Sequence, residues 1–331
     1  MTEHVAVTGA DGFIGSHLTE ALVREGYRVR ALAQYNSFGS WGWLDTVPDD
    51  VRDQIEVVSG DVRDAGSMRS FLTDIDVVCH LAALIAIPYS YLAPASYLDT
   101  NAGGTLNVLE AARALGVGRV IHTSTSEVYG TARTVPISEE HPLQAQSPYS
   151  ASKVAADKLA ESYHLSFELP VVTVRPFNTY GPRQSARAVI PTVISQIAAG
   201  AREISLGSLD PTRDFNFVAD TAEAFVSVVR ADADDVVGRV FNAGSGHEIS
   251  IGDTVSLIGE VMGVEVEPIL DPARVRPAGS EVQRLVCDSS ALHAATSWKP
   301  AHSLEEGLRT TAEWFVDPAN LARYRTDRYA V

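Results

Sequence analysis

Tyr149 and Lys153 stand four residues apart in "SPYSASK", a spacing that puts both on one face of a helix. Ser147 and Pro148 ahead of them read as its N-cap and first residue. A free phenol, with a pKa of about 10, is a poor base at neutral pH. An ammonium beside it favours phenolate, and the pair can then take the proton of an alcohol as its carbon is oxidised. A second cluster lies in "HTSTSEVYG", residues 122–130, where a strand-like run ends in small hydroxyls. Thr125, Ser126 and Glu127 follow one another there. A carboxylate is costly to desolvate, so Glu127 is either a solvated strand-end charge or a base.

The segment "VTGADGFIG" places Gly9, Gly12 and Gly15 between a leading strand and a helix opened by Phe13 and Ile14. Glycine permits a tight turn and close backbone approach to a pyrophosphate, and the helix N-terminus offers free N–H groups. The spacing G-x-x-G-x-x-G is one residue looser than the usual dinucleotide fingerprint. That fingerprint also expects an acid at the end of the second strand, where this chain has Ala33 and Gln34. Asp61, followed by Val62, ends the third strand and is placed to meet the adenine; its other reading is a loop or cap aspartate. The expected cofactor is NAD, with NADP left open.

Strand and helix signals alternate through the first half: "HVAVTG", "FIGSHLTEALVREG", "YRVRALA", "IEVVSGD", "AGSMRSFLTD", "DVVCHLAA", "LDTNAGGTLNVLEAARALG", "GRVIHTST", the Tyr149 helix and "LPVVTVRPFN". Such alternation predicts crossover units and a parallel sheet. The expected fold is therefore α/β: a Rossmann-like, doubly wound parallel sheet with a smaller, discontinuous C-terminal substrate lobe. Residues 1–177 form the first domain, with about 236–262 returning to it. Residues 178–235 and 263–331 form the lobe, and "LARYRTDRYAV" reads as a loosely held tail.

A formal charge of −16 argues against nucleic-acid and anionic-membrane partners, while a few arginines suffice for a small anion. Cys79 and Cys287 read as buried free thiols. The nine histidines show no ligand spacing, so no metal site is expected, and His80 and His122 read as core residues. No apolar run is long enough to span a bilayer, and no signal-peptide pattern opens the chain. The expected location is the cytoplasm.

"TGADGFIG", "HLAA", "STSEVYG", "YSASK" and "RPFNTYGP" follow one another in the order seen in the extended short-chain dehydrogenase/reductases, and over nearly the whole chain the sequence resembles their nucleotide-sugar branch. The resemblance implies that Thr125, Tyr149 and Lys153 are a catalytic triad and that Leu81, Ala82 and Ala83 line the cofactor. It puts Asn178 near the sugar diphosphate and Arg213 and Arg276 on it, a task that suits the planar guanidinium fork. It also implies a homodimer through the helices containing "TNAGGTLNVLEAARALG" and "YSASKVAADKLAESYHL".

Within that branch Glu127 resembles the glutamate of the 4,6-dehydratases, where 4-epimerases tend to carry a neutral residue. Oxidation at C4 acidifies the C5 hydrogen, a carboxylate takes it, the C6 hydroxyl leaves, and hydride returns at C6. Many dTDP-glucose dehydratases carry an aspartate just before the glutamate. Here Ser126 stands there, as in the "TSE" of GDP-mannose 4,6-dehydratases. Glu127 would then serve both proton steps, with Ser126 orienting the water or hydroxyl. "YNSFGSWGWLD" and "IPYSY" are similar to dehydratases of legionaminic-acid-type pathways, which implies UDP-N-acetylglucosamine as substrate. Tyr35, Trp41, Trp43, Tyr89 and Tyr91 in those stretches either flank cofactor and sugar or cap the sheet. The competing expectations are a 4-epimerase and a non-catalytic dinucleotide-binding regulator.

Overall fold

The computed structural model describes residues 3–325. His4–Thr8 (β1), Arg28–Gln34 (β2), Ile55–Gly60 (β3), Val77–His80 (β4), Arg119–Thr123 (β5) and Val171–Pro176 (β6) join Val240–Ala243 in one seven-stranded sheet. Every pairing is parallel, in the order Val240–Ala243, β6, β5, β4, β1, β2, β3. The winding reverses between β1 and β4, where Thr8 lies opposite His80. An open α/β sheet forms its ligand crevice at that reversal.

Both faces of the sheet are covered, which is why its strands are nearly continuous apolar runs. On one face Leu18 and Leu22 of the helix Phe13–Arg24 share a core with Val5, Val7, Ile121 and Val174. On the other, Met68, Val108, Leu109 and Ala160 share a core with Ala6, Val78 and Val120. Those four come from the helices Ala65–Phe71, Gly104–Leu115 and Pro148–Phe167. Each fully buried side chain of this size contributes about 1.5–3 kcal/mol.

A separate core gathers Ile190, Ile194, Phe215, Phe217, Val255, Ile258, Leu308 and Phe315. Short strand pairs edge this lobe: Asn178–Tyr180 with Phe215–Phe217, Glu203–Leu206 with Glu267–Leu270, and Thr212–Arg213 with Ile249–Ser250.

Three helices lie on the other side of the expected division, one of them Ser290–Thr296, which falls in the stretch 263–331 but packs in the main-sheet core through Leu292. Val218–Arg230 falls in the stretch 178–235 but covers the main sheet through Phe225, Val226 and Val228. Ile251–Met262 falls in the stretch 236–262 but packs in the lobe through Val255 and Ile258. An amphipathic period shows that a helix has a buried face, not which core receives it. The start of the expected loose tail is anchored, since Tyr324 packs on Trp43, Trp314 and Phe315. Residues 326–331 lie outside the described residues. Among the described residues no helix is long and apolar enough to cross a membrane, and no cluster of His, Cys, Asp and Glu could hold a metal ion.

Candidate active site

The helix Pro148–Phe167 starts where its sequence directs. Ser147 Oγ accepts from Ser150 N at 3.1 Å and Pro148 occupies the first turn. Its inward face carries Tyr149, Lys153, Ala156, Asp157 and Ala160, all buried. Lys153 Nζ donates to the Thr123 carbonyl at the end of β5, at 2.6 Å. The Thr125 hydroxyl lies beside the Tyr149 phenol and favours its ionised form. Thr125 also caps the 3-10 turn Ser126–Tyr129, its Oγ1 accepting from Glu127 N at 3.2 Å. Ser150 Oγ donates to the Glu127 carbonyl at 2.7 Å and ties that turn to the tyrosine helix. Thr125, buried Ser126, Glu127, Tyr149 and Lys153 are thus gathered at one place, and the charge of Glu127 acts on both Tyr149 and Arg213.

Burial pushes the Tyr149 phenol well above its ordinary value; the Thr125 hydroxyl opposes this and the Glu127 charge adds to it. The phenol therefore stays protonated at neutral pH until positive charge or an alkoxide partner is brought beside it. Burial pulls the Lys153 ammonium down to about 8, against the nearby charge of Asp157.

Asp157 is the hub of a buried polar network beneath this pair. His122 Nε2 lies 3.0 Å from its Oδ1, and Ser124 Oγ donates to Oδ2 at 2.8 Å. Arg175 donates to Oδ2 through Nε and Nη2, and through Nη1 to the Tyr129 hydroxyl at 2.8 Å. Burial raises the Asp157 carboxyl, but the His122 bond and charge, Arg175 and Ser124 outweigh it and hold the group at about 2. His122 is a core residue as expected, yet it belongs to this network. His80 lies buried between Thr8 and Thr105. Sequence reasoning passed over Asp157, although it lies four residues beyond Lys153 on the same face.

Residues expected at the cofactor converge on the crevice between β1 and β4. Gly9 has φ +68°, and a Cβ there would come within 2.8 Å of Ala82 N. Thr8 Oγ1 accepts from the N–H groups of Leu81 and Ala82, each at 3.1 Å, and leads into Ala83. Gly15 packs so closely on Gly9 that a Cβ would strike its carbonyl. The helix opened by Phe13 and Ile14 has Gly12 as its N-cap, with no side chain capping it. Its first N–H groups therefore suit a pyrophosphate, and a dinucleotide fits this donor set. Asp61 directly follows β3 and forms a bidentate pair with Arg63, and buried Val62 touches Gly104 and receives Asn107 Nδ2 on its carbonyl at 2.9 Å.

The two aromatic stretches divide between the alternatives. "IPYSY" flanks Tyr149: Ile87 and Tyr97 cluster with it, Tyr91 packs against them, and Tyr89 lies against Tyr97. In "SWGW", Trp43 N donates to the Asp11 carbonyl of the glycine turn at 3.0 Å. The Trp43 ring bridges to Trp314 and Tyr324 of the lobe, while Tyr35 and Trp41 are exposed. Asn101, also missed, sits in a π-helical turn, Leu98–Gly103; its Nδ2 donates to the Leu84 carbonyl and to Ser152 Oγ, both at 2.9 Å. Such turns are frequent at functional sites.

Asn178, Arg213 and Arg276 line one cleft between the sheet and the lobe, of ≈ 1020 Å³ including its open mouth. Arg213 is buried, and its Nη2 donates to Glu281 Oε1 at 3.1 Å. Arg276 Nη1 lies 3.5 Å from the same oxygen. Asn178 Oδ1 is buried and, among the described residues, receives no hydrogen bond. Two guanidiniums beside an unfilled acceptor suit an anion that also carries a donor. Glu281 gave no local sequence signal.

A glycine turn at the sheet reversal, a Thr–Tyr–Lys set at the end of β5 and an arginine-lined cleft under the lobe define an extended short-chain dehydrogenase/reductase. The chain belongs to the NAD-dependent epimerase/dehydratase family within that class, and the family described as GDP-mannose 4,6 dehydratase matches residues 6–311. It is 34% identical over 316 residues to a UDP-glucose 4-epimerase of Mycolicibacterium smegmatis, covering 93% of this chain and 97% of that one. A dTDP-glucose 4,6-dehydratase from Streptomyces venezuelae, DesIV, solved with NAD and TYD bound, superposes with a TM-score of 0.85 at 28% identity, over 95% of this chain and 97% of that one. A UDP-N-acetylglucosamine 4-epimerase from Methanobrevibacter ruminantium, in complex with UDP-N-acetylmuramic acid, gives 0.84 at 31%, over 96% and 99%. The protein is an NAD-using enzyme of nucleotide-sugar chemistry.

Proposed function

We propose that this enzyme is a 4,6-dehydratase, a lyase acting on UDP-N-acetylglucosamine. The observation that carries the reading is Glu127, a carboxylate on the turn tied to the tyrosine helix, whose charge reaches both Tyr149 and the cleft arginine Arg213. Bound NAD supplies a reversible two-electron oxidation of the sugar. Tyr149, with the Thr125 hydroxyl beside it, takes the proton of the C4 hydroxyl, and Lys153 keeps positive charge beside it. Glu127 removes the C5 proton that the C4 ketone has acidified. The same carboxyl, now an acid, gives that proton to the departing C6 oxygen, which leaves as water; the two electrons taken from C4 would return to C6 as hydride, and a proton from solvent would complete C5. Ser126 orients that oxygen. Asn178, Arg213 and Arg276 hold the diphosphate.

A second reading, a 4-epimerase, is favoured by the 34% identity to the mycobacterial UDP-glucose 4-epimerase. It uses the same Thr125, Tyr149 and Lys153 but leaves Glu127 without a task. The NAD-loaded enzyme is incubated with UDP-N-acetylglucosamine in heavy water and the sugar examined by NMR. A 4-keto-6-deoxy product with deuterium at C5 is expected. A C4-inverted sugar alone assigns the epimerase, and tight NAD binding with no altered sugar removes UDP-N-acetylglucosamine as the substrate.

A further inference from the structure

The second strand of a dinucleotide-binding sheet ordinarily ends in an acid that receives the adenosine ribose, or has an arginine close by for a 2′-phosphate. β2 ends in Ala33 and Gln34 and supplies neither. A carboxylate reaches that strand end from another element. Asp11 lies in the glycine turn, 23 residues before Gln34, and its Oδ2 accepts from Gln34 N at 3.0 Å. Among the described residues no other residue bonds this carboxylate and no cation pairs with it. Burial raises the Asp11 carboxyl, and the N–H groups of Gln34 and of Asp11 itself, which bond the charged form, oppose that rise.

The backbone fixes Asp11 in this place. Ala10 N donates to the Leu32 carbonyl of β2 at 3.2 Å, and Trp43 N donates to the Asp11 carbonyl at 3.0 Å. A Cβ on Gly42 would come within 2.5 Å of the same carbonyl, so the loop after β2 lies directly on the turn. That loop offers a phosphate nothing. Between Arg30 and Arg52 the chain has no lysine, arginine or histidine, only the acids Asp45, Asp49 and Asp50. Gln34 pairs with Gly60 at the end of β3, and the cation just beyond that end, Arg63, is already held by Asp61.

We infer that Asp11 is the acid missing from the end of β2: it accepts from a ribose hydroxyl of NAD and rejects a 2′-phosphate, so that the glycine turn, and not the strand, sets the preference for NAD over NADP. A phosphate monoester adds about −1.5 to −2 charge at neutral pH, and like charges brought together without a cation repel strongly. A carboxylate that only tied the turn to β2 would be replaceable by an amide, because Gln34 N needs an acceptor and not a charge. The two roles therefore separate when the charge alone is removed.

The test titrates NAD and NADP into wild type and Asp11→Asn by calorimetry, at low and at high salt; where NAD co-purifies, its displacement by each dinucleotide is read instead. Wild type is expected to bind NAD about a hundredfold more tightly than NADP. Asp11→Asn keeps an acceptor for Gln34 N and is expected to narrow that ratio about tenfold, mainly by tightening NADP. Salt screens the repulsion, so raising it should narrow the wild-type ratio as well, whereas a cation reading the phosphate would give the opposite sign. Wild type that binds NADP as tightly as NAD overturns the inference, and so does an unchanged ratio in the folded variant. If Asp11→Asn fails to fold, judged by thermal unfolding, the wild-type salt response decides: a ratio that stays flat or widens overturns the inference.

Discussion

Asp157 stands one helical turn beyond Lys153 on the same buried face, and its Oδ2 takes both the Nε and the Nη2 of Arg175, at 3.2 and 3.0 Å. The Lys153 ammonium, bonded to the Thr123 carbonyl, therefore lies in the field of a fixed negative charge. Asp157→Asn leaves Arg175 without its partner, and stability should fall by about 3–5 kcal/mol at neutral pH. The native carboxyl lies at about 2 against an ordinary 3.8. Its contribution is present above the ordinary value and is lost as pH falls toward 2. The variant should lose that acid-side slope in a series of unfolding curves. Lys153 lies at about 8 against an ordinary 10.5, so the wild-type rate should decline as pH rises past 8. Without Asp157 that decline should move to lower pH, read as kcat/KM against pH.

Glu127→Gln removes a base while leaving the turn intact, because Thr125 Oγ1 and Ser150 Oγ hold the backbone of residue 127, not its carboxylate. Loss of a positioned base should reduce turnover by about 10²–10⁴-fold, with NAD affinity unchanged. Deuterium uptake at C5 from heavy water, followed by NMR, should slow in parallel. Wild-type exchange in the variant would remove Glu127 from the proton step.

The site was legible where chemistry and local geometry share a short segment. Ser147, Pro148, Tyr149 and Lys153 announce a cap, a first turn and a helix face together, and the helix begins there. The glycine turn is equally local. Residues whose partners are far along the chain left no such mark: Glu281 meets Arg213 across 68 residues, and Asn101 meets Ser152 across 51. Val218–Arg230 and Ile251–Met262 are both amphipathic, and only the assembled cores decide that the first covers the sheet and the second the lobe. Asp157 lies between these cases, its spacing visible but its partners His122 and Arg175 supplied by other strands.

Gly9→Ala tests the turn. The residue sits at φ +68°, where an alanine is strained, and its Cβ would press on the backbone of Ala82 at 2.8–2.9 Å. Strain and contact together should cost about 1–3 kcal/mol. Because relief requires the turn to move off β4, NAD affinity should fall with stability, measured by thermal unfolding and by NAD titration. A variant that melts lower but binds NAD as wild type would separate the turn from the cofactor.

The helices Gly104–Leu115 and Pro148–Phe167 lie side by side on one sheet face, and outside the core they expose Leu106, Leu165 and Phe167. The Arg113 guanidinium covers the Phe167 ring at 4.9 Å. Exposed apolar groups on adjacent helices suit a second copy of the same chain, whose two-fold axis would bring each helix against its equivalent. Light scattering of the wild type should give a dimer. Leu106→Glu combined with Leu165→Glu places like charges across that axis and should give a monomer that still binds NAD, since neither residue lines the crevice. A wild-type monomer, or a double variant that remains a dimer, would remove these helices from the interface.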